Sequence, residues 1–161
     1  MNSSPIANKT LSRTVARLAA VQALYSVNTN SQNNKDLILD IVEIYKDKYL
    51  TKDCDSNAQN NLIEPDLIFL TDLTDKISAN LEKIDGLIAN SLTSSSFDEL
   101  DLVIRSILRS AICEIALFDN IPVKVIINEY TNIAGSFVDQ NEVGFVNKVL
   151  DKIGKELRPN L

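Results

Sequence analysis

The segment from Leu100 to Ala116 constrains the fold of this chain more than any other segment does. Its apolar residues recur at helical spacing and cover nearly every face of the helix they predict. Because a surface helix would show a single apolar stripe, this pattern indicates a central helix that its neighbours bury. Ser96 and Glu99 precede the segment with the spacing of a capping box, which predicts its start.

Apolar residues recur at three- and four-residue spacing elsewhere in the chain as well. No segment alternates with the period of two that marks a half-buried strand. The 161 residues include only 4 Gly and 4 Pro, which leaves little punctuation for hairpins. We therefore predict an all-α fold of seven helices. The pattern from residue 65 to residue 92 fits either one long helix or two helices with a break near residues 80–85, and we expect the break. The predicted helices begin near Thr10, Lys35, Pro65, Asp85, Ser96, Pro122 and Asn141, and the last one ends near Leu157.

The predicted helices suggest one domain at residues 10–158, after a flexible tail at 1–9. A polar loop at 51–64, rich in Asn and Asp, is expected at the surface and is assigned no function. No apolar run approaches the roughly 20 residues of a membrane span, and polar residues interrupt the N-terminal apolar pattern, so no signal peptide is expected. Cys54 and Cys113 form no motif, and Cys113 is expected in the core. We expect a cytoplasmic protein.

The sequence lacks the signatures of the common catalytic sites. It contains no histidine, the commonest general base and metal ligand. It also has no Cys-x-x-Cys motif, no Gly-rich phosphate loop and no nucleophile elbow. Its acidic clusters fit helix N-termini or solvated loops. We predict a binding protein that is not an enzyme, and we expect no metal or cofactor.

Charge is distributed unevenly along the chain. The net charge is −6, yet the first acidic residue is Asp36. All charged side chains that come before it are basic. Residues 36–161 hold 12 basic against 22 acidic residues, so a positive N-terminal segment precedes an acidic body. This asymmetry indicates either a polyanion site at one end of the molecule or a solvated helix start.

The first predicted helix carries the residues best suited to bind a polyanion. Arg13 and Arg17 are four residues apart and share a helix face, where they can contact phosphates or stack on unpaired bases. Tyr25 follows two turns later, displaced by about 80° around the axis. It is either a stacking residue beside the arginines or a core tyrosine.

The last predicted helix carries a second aromatic candidate. Val146 fits the buried stripe of this helix, so Phe145 is turned away from that stripe by about 100°. Phe145 either stacks on a base or packs against another helix. Asn141 is expected to cap the start of the same helix.

Three blocks of sequence resemble the NusB family of transcription antitermination factors. They occur in the order and spacing of the family, whereas residues 28–95 agree with it only in being helical. The resemblance implies the NusB fold, in which two small helical bundles pack together. The blocks are ARLAAVQALY at 16–25, ILRSA at 107–111 with IPVKVIINE at 121–129, and FVNKVLDK at 145–152.

The resemblance also implies partners. NusB-like proteins pair with NusE, a small-subunit ribosomal protein, and bind boxA elements of nascent RNA within an RNA polymerase antitermination complex that supports ribosomal RNA transcription. The residues expected to bind RNA are Arg13, Arg17, Tyr25, Phe145 and Asn141. An acidic face would suit a basic ribosomal protein, and the residues expected to bind this partner are Asp98, Glu99 and Arg105.

The chain departs from the family where the RNA contacts are expected. Thr14 and Val15 separate the two arginines, where the family often has a denser arginine run, and Val143 and Gly144 precede Phe145, where it often has polar or basic residues. Fewer phosphate contacts imply weak RNA binding by the chain alone. A helical interaction module that forms a homodimer and binds no RNA therefore stays open. NusB-like domains also occur in ribosomal RNA methyltransferases, but this sequence shows no cofactor-binding unit.

Overall fold

The computed structural model describes residues 5–29, 40, 43 and 63–159. The predicted helix at 35–50, the predicted loop at 51–62 and Cys54 lie outside the described residues, except that Asp40 and Glu43 are helical. The described part contains five α-helices, one 3₁₀ helix and no strand, which confirms the all-α prediction. The elements are α1 (Pro5–Thr29), α2 (Leu67–Ser91), the 3₁₀ helix (Phe97–Glu99), α3 (Leu102–Leu117), α4 (Val123–Gly135) and α5 (Gln140–Leu157).

The predicted count of seven helices is not supported, because α2 runs through the expected break. Asn80 has non-helical angles there (φ −123°, ψ 16°), and its side-chain amide donates a hydrogen bond of 2.8 Å to the carbonyl of Lys76. This bond holds the turn together across a kink. The break predicted near residues 80–85 is therefore a kink inside one continuous helix.

Helix α1 begins at Pro5 rather than near Thr10, so residues 5–9 of the expected tail are helical. Proline suits a first helical turn because its missing N–H would have no partner there. The hydroxyls of Thr10 and Ser12 donate to the carbonyls of Ile6 and Lys9, at 3.1 and 2.9 Å. They bond within the helix and do not cap its start.

The chain divides into two compact units, residues 1–74 and 75–161, and the boundary falls inside α2. In the first unit, α1 meets the segment that leads into α2, where the backbone N–H of Asp66 donates to the carbonyl of Ser12 at 3.0 Å. The small side chains of α1 are buried there together with apolar residues of α2. The buried residues include Ala16, Ala19, Ala20, Ala23 and Leu24 of α1, and Phe69, Leu70 and Leu73 of α2.

The second unit is built around α3, which contacts both α4 and α5. Ten consecutive residues, from Ser106 to Ile115, are buried, which confirms the prediction of a central helix. The predicted capping box forms one element earlier than expected. The N–H of Ser96 donates to Glu99 Oε2 at 2.8 Å at the start of the 3₁₀ helix. Helix α3 is capped instead by Asp101, whose carboxylate accepts the N–H of Val103 at 2.8 Å.

A hydrogen-bonded chain of polar side chains crosses the core of this unit. Tyr130 Oη of α4 donates to Glu114 Oε2 at 2.9 Å and lies 2.9 Å from Ser110 Oγ, so the serine is the donor in that second bond. All three residues are fully buried. The bonds satisfy polar groups that would otherwise be costly to bury. Cys113 lies beside them and is also buried, as predicted.

Two apolar residues at the two ends of α4 lie at the surface. Val125 is 45% exposed and Phe137 is 47% exposed. Ile126, the neighbour of Val125, occupies the buried position in the first turn, and Phe137 follows Gly135, where the helix has already ended. Helical spacing therefore does not fix the direction of Phe137. No helix in the described ranges has both the length and the apolar character of a membrane span.

Candidate nucleic-acid interface

Arg13 is held beside an aromatic ring of α2. Its guanidinium lies 5.2 Å from the centre of the Phe69 ring, within the range of a cation–π contact. Its Nε is 3.6 Å from Asp66 Oδ2, and its side chain is 30% exposed. A partly exposed ion pair of this length is weak, so Asp66 holds the guanidinium of Arg13 only loosely.

Arg17, which was expected to contact RNA, is only 3% exposed. Its guanidinium also lies 5.2 Å from the centre of the Phe69 ring. Phe69 therefore positions both arginines, although the sequence contains no signal that links it to α1. A buried guanidinium cannot contact a phosphate in this arrangement, which leaves Arg13 as the accessible member of the pair.

Tyr25 lies two turns beyond Arg17 on α1 and is 40% exposed, between the buried Leu24 and the half-buried Ser26. Of the two interpretations that the sequence left open, this exposure favours a stacking residue over a core tyrosine.

The start of α5 differs from its prediction. Asp139 is the N-cap, and its Oδ1 accepts the N–H of Glu142 at 3.0 Å while Glu142 Oε2 accepts the N–H of Asp139 at 3.2 Å. This is a complete capping box. Asn141 therefore does not cap the helix but lies exposed in its first turn. Its side chain faces solvent and is available for a polar contact.

Phe145 is half-buried and lines a groove of about 450 Å³ between α5 and the segment that follows α2. Both Phe145 and Asn141 belong to the second unit, whereas Arg13, Arg17 and Tyr25 belong to the first. Within its own unit, each helix thus brings an aromatic side chain and polar groups to one stretch of surface.

The predicted partner face lies on the 3₁₀ helix, where Asp98 and Glu99 are exposed. The pKa of Glu99 is lowered from its ordinary value, mainly by the hydrogen bond from the backbone of Ser96 and further by the Ser96 side chain. Arg105 holds the segment in place. Its Nη2 lies 3.1–3.3 Å from three backbone carbonyl oxygens, and its guanidinium lies 4.6 Å from the centre of the Phe97 ring.

Arg109 was not predicted as a functional residue from the sequence, yet it forms a bidentate ion pair within the second unit. Its Nε and Nη2 donate to Asp85 Oδ1 and Oδ2, both at 2.7 Å, in a bidentate arrangement. Its guanidinium also lies 5.5 Å from the centre of the Phe97 ring. No spacing rule links Asp85 to Arg109, because the two lie 24 residues apart on different helices.

The fold and these side chains define an all-helical binding protein with arginine and aromatic residues on its first helix and an aromatic residue on its last. The chain belongs to the NusB family, whose model matches residues 14–155. This confirms the resemblance noted in the sequence.

Individual relatives agree with the family match. The transcription antitermination protein NusB of Rickettsia bellii is 37% identical over 151 residues, which cover 92% of this chain and 94% of the relative. A solved structure of T. maritima NusB superposes with a TM-score of 0.71 at 29% identity, covering 89% of this chain and 91% of that one. A second solved structure, of antitermination factors NusB and NusE in complex with double-stranded RNA, has a TM-score of 0.69 at 23% identity, covering 90% of this chain and 97% of that one, and shows the fold alone.

Proposed function

We propose that this chain is a transcription antitermination factor that binds boxA-type single-stranded RNA together with a NusE-type ribosomal protein and supports ribosomal RNA transcription. The observation that carries the proposal is the family match over residues 14–155, together with curated relatives named as antitermination proteins. A protein of the same fold has been solved in complex with NusE and double-stranded RNA, and we propose the same classes of partner for this chain. The protein acts by assembly rather than by catalysis, and in the cytoplasm.

The first helix supplies one part of the RNA surface. Arg13 contacts a phosphate, and Tyr25 stacks on a base, since both are accessible to solvent. Arg17 supports Arg13 through Phe69, because both guanidiniums lie over the same ring. Arg17 is therefore a positioning residue, in contrast to the direct contact expected from the sequence.

The last helix supplies the other part. Phe145 stacks on a base at the edge of its groove, and Asn141 offers an exposed amide that can hydrogen-bond a base or a phosphate. We also propose the family arrangement of two small bundles in a single domain at 10–158.

The NusE-type protein is proposed to bind the 3₁₀ helix. Asp98 and Glu99 present two exposed carboxylates there, and the hydrogen bonds from Ser96 that lower the pKa of Glu99 favour its ionised form. A basic ribosomal protein is attracted to such a face. Arg105 contributes by fixing the carbonyls of this segment, so it acts on the partner through Phe97 and its neighbours.

The burial of Arg17 favours one alternative, a helical interaction module that forms a homodimer without binding RNA. With Arg17 removed from the surface, the first helix offers fewer accessible cations than the sequence suggests. Sedimentation of the protein with and without RNA separates the two functions, because only the antitermination factor forms a heavier RNA complex.

The decisive experiment is a mixing titration. Fluorescence anisotropy of a labelled boxA-type RNA is measured against this protein alone, a NusE-type protein alone and the mixture. We expect weak binding by this protein alone and markedly tighter binding by the pair, since the partner extends the contact surface. Absence of RNA binding in all three titrations would overturn the proposal.

A further inference from the structure

The groove beside Phe145 has a basic wall, and none of its lysines belongs to the RNA-binding residues proposed above. One wall is the face of α5 that carries Phe145, Lys148, Lys152 and Lys155. The other is the segment 91–95 after α2, in which four of the five residues bear a hydroxyl. This lysine groove lies entirely within the second unit of the chain.

Helical spacing aligns the basic wall. Phe145, Lys148 and Lys152 are separated by three and four residues, so their side chains lie one above another on the same face of α5. The distance from the first to the last is about 10 Å along the helix axis. The aromatic ring therefore stands at one end of a short row of ammonium groups.

The two inner lysines are available to an anion. Lys148 is exposed and has neither an ion pair nor a hydrogen bond within the described ranges. Lys152 donates to the carbonyl of Ser91 at 3.1 Å, which places its ammonium group at the wall of the groove. An ammonium has three N–H donors, so Lys152 keeps two for a ligand.

The net charge of the groove is positive. Asp151 also lines it, but its Oδ2 lies 2.6 Å from Nζ of Lys155, so these two charges neutralise each other. Lys148 and Lys152 remain as the surplus, in a chain whose net charge is −6. A ligand with regularly spaced negative charges is attracted to this groove against the field of the whole molecule.

Single-stranded RNA fits these features better than an acidic protein segment does. Phosphates would meet the two lysines, and a base would stack on Phe145. Ribose 2′-hydroxyls would meet the hydroxyls of Thr93, Ser94 and Ser95, whereas the buried hydroxyl of Ser91 donates to the carbonyl of Ile88. An acidic peptide would use the cations but would leave the aromatic edge and the row of hydroxyls without a specific role.

We propose that the lysine groove binds the sugar–phosphate backbone of single-stranded RNA next to the base that stacks on Phe145, with Lys148 and Lys152 as phosphate contacts. The proposal rests on the proposed function and extends its RNA path along α5. The lysines of α5 would then supply phosphate contacts that the sparse arginines of α1 do not provide.

The test is the salt dependence of RNA binding by a double variant, Lys148→Gln with Lys152→Gln. Glutamine keeps an N–H donor for the Ser91 carbonyl, so the groove wall is preserved. Anisotropy with a labelled boxA-type RNA is measured at several salt concentrations, with the NusE-type partner present. Each lost phosphate contact lowers the slope of log K against log[salt] by about 0.7, so we expect a decrease of about 1.4. Affinity at low salt should fall on the order of tenfold.

The matched control removes the same charge elsewhere. Lys83 and Lys124 are exposed and do not line the groove, so Lys83→Gln with Lys124→Gln should leave the slope close to that of the wild type. Thermal unfolding checks that both double variants are folded. An equal decrease in the two double variants would show a general charge effect and would overturn the groove assignment.

The remaining outcomes separate the groove from the proposed function. If the wild type binds RNA and the groove variant keeps its affinity and slope, the strand runs elsewhere and only the groove inference is wrong. If the groove variant loses the NusE-type protein but keeps its RNA affinity when tested alone, the groove binds protein and the inference is again overturned. If the wild type binds no RNA in any mixture, the proposed function itself is wrong, and the groove inference is wrong with it.

Discussion

Two phenylalanines of this protein each lie against two arginines, and the two clusters differ in what else the arginines hold. Phe69 and Phe97 both have two guanidiniums within 5.5 Å of their ring centres. In both clusters the arginines are four residues apart on one helix. The pairs are Arg13 with Arg17 on α1, and Arg105 with Arg109 on α3.

The α3 pair is committed to the fold. Arg109 makes a bidentate ion pair with Asp85, and Arg105 contacts three carbonyl oxygens at the end of the 3₁₀ helix. On α1, Arg13 forms a partly exposed ion pair of 3.6 Å with Asp66. Identical spacing thus serves packing in one cluster and leaves a replaceable cation in the other. The spacing of two arginines alone does not distinguish an anchor from a binding site.

The largest expected effect is a loss of stability when the α3 pair is broken at Arg109. Arg109→Ala leaves Asp85 without its partner in a partly buried position and removes a contact with Phe97. We expect the free energy of unfolding to fall by about 3 kcal/mol, at the lower end for a broken buried pair because Asp85 is partly exposed. Urea denaturation measures this. A variant as stable as the wild type would contradict the assignment of this cluster to the fold.

The next effect concerns RNA rather than stability. Phe145→Ala removes the aromatic edge of the lysine groove and should weaken RNA binding by about 1–3 kcal/mol, the usual value for one stacked base. The measurement is the affinity for a boxA-type RNA in the presence of the partner. Phe145→Tyr, which keeps a stacking ring, serves as the control and should bind RNA nearly as well as the wild type.

The comparison is sharpest when one arginine from each cluster is changed in parallel. Arg13→Ala should cost about 1 kcal/mol of RNA affinity with little loss of stability, because its ion pair is weak and partly exposed. Arg105→Ala should cost about 1–2 kcal/mol of stability, since it frees backbone carbonyls, and should leave RNA binding by the chain alone unchanged. Both quantities are measured for both variants. A reversed pattern would show that the roles of the two clusters are exchanged.

The smallest effect is a pH dependence at the 3₁₀ helix. Hydrogen bonds from Ser96 lower the pKa of Glu99 in the folded state. These hydrogen bonds therefore stabilise the folded state fully above the ordinary pKa of a glutamate. Their contribution to the free energy of unfolding is lost as the pH falls through the lowered pKa. NMR titration of the Glu99 side chain should give a midpoint below that of an unstructured peptide. In Ser96→Ala, which removes the side-chain hydrogen bond but keeps the backbone N–H, the midpoint should move part of the way back.

The parts of the fold that the sequence predicts well depend on local periodicity. The apolar residues of α3 indicate a buried helix because each contributes to the same pattern, and Ser106–Ile115 are indeed buried. The exact starts of helices were less predictable. Asp101 and Asp139 cap α3 and α5, although Ser96 and Asn141 were equally plausible caps by composition.

The binding residues were harder to predict because their exposure depends on contacts distant in sequence. Arg17 is buried by packing that involves Phe69, 52 residues away, and no periodicity in α1 reveals that contact. Lys148 and Lys152 were not predicted as binding residues, because residues 36–161 are acidic as a whole. Their availability becomes clear only when Lys155 is seen to neutralise Asp151.

The hydrogen bonds through Tyr130 have a consequence for how the second unit selects one arrangement of its helices. Apolar side chains make similar contacts when one helix slides along another, so they define a register only loosely. A slip of α4 by one turn would move the Tyr130 hydroxyl by about 5 Å, out of reach of Glu114 and Ser110, and would strand a carboxylate in the interior. These two hydrogen bonds therefore select one register of α3 against α4, because other registers keep apolar contacts but lose both bonds.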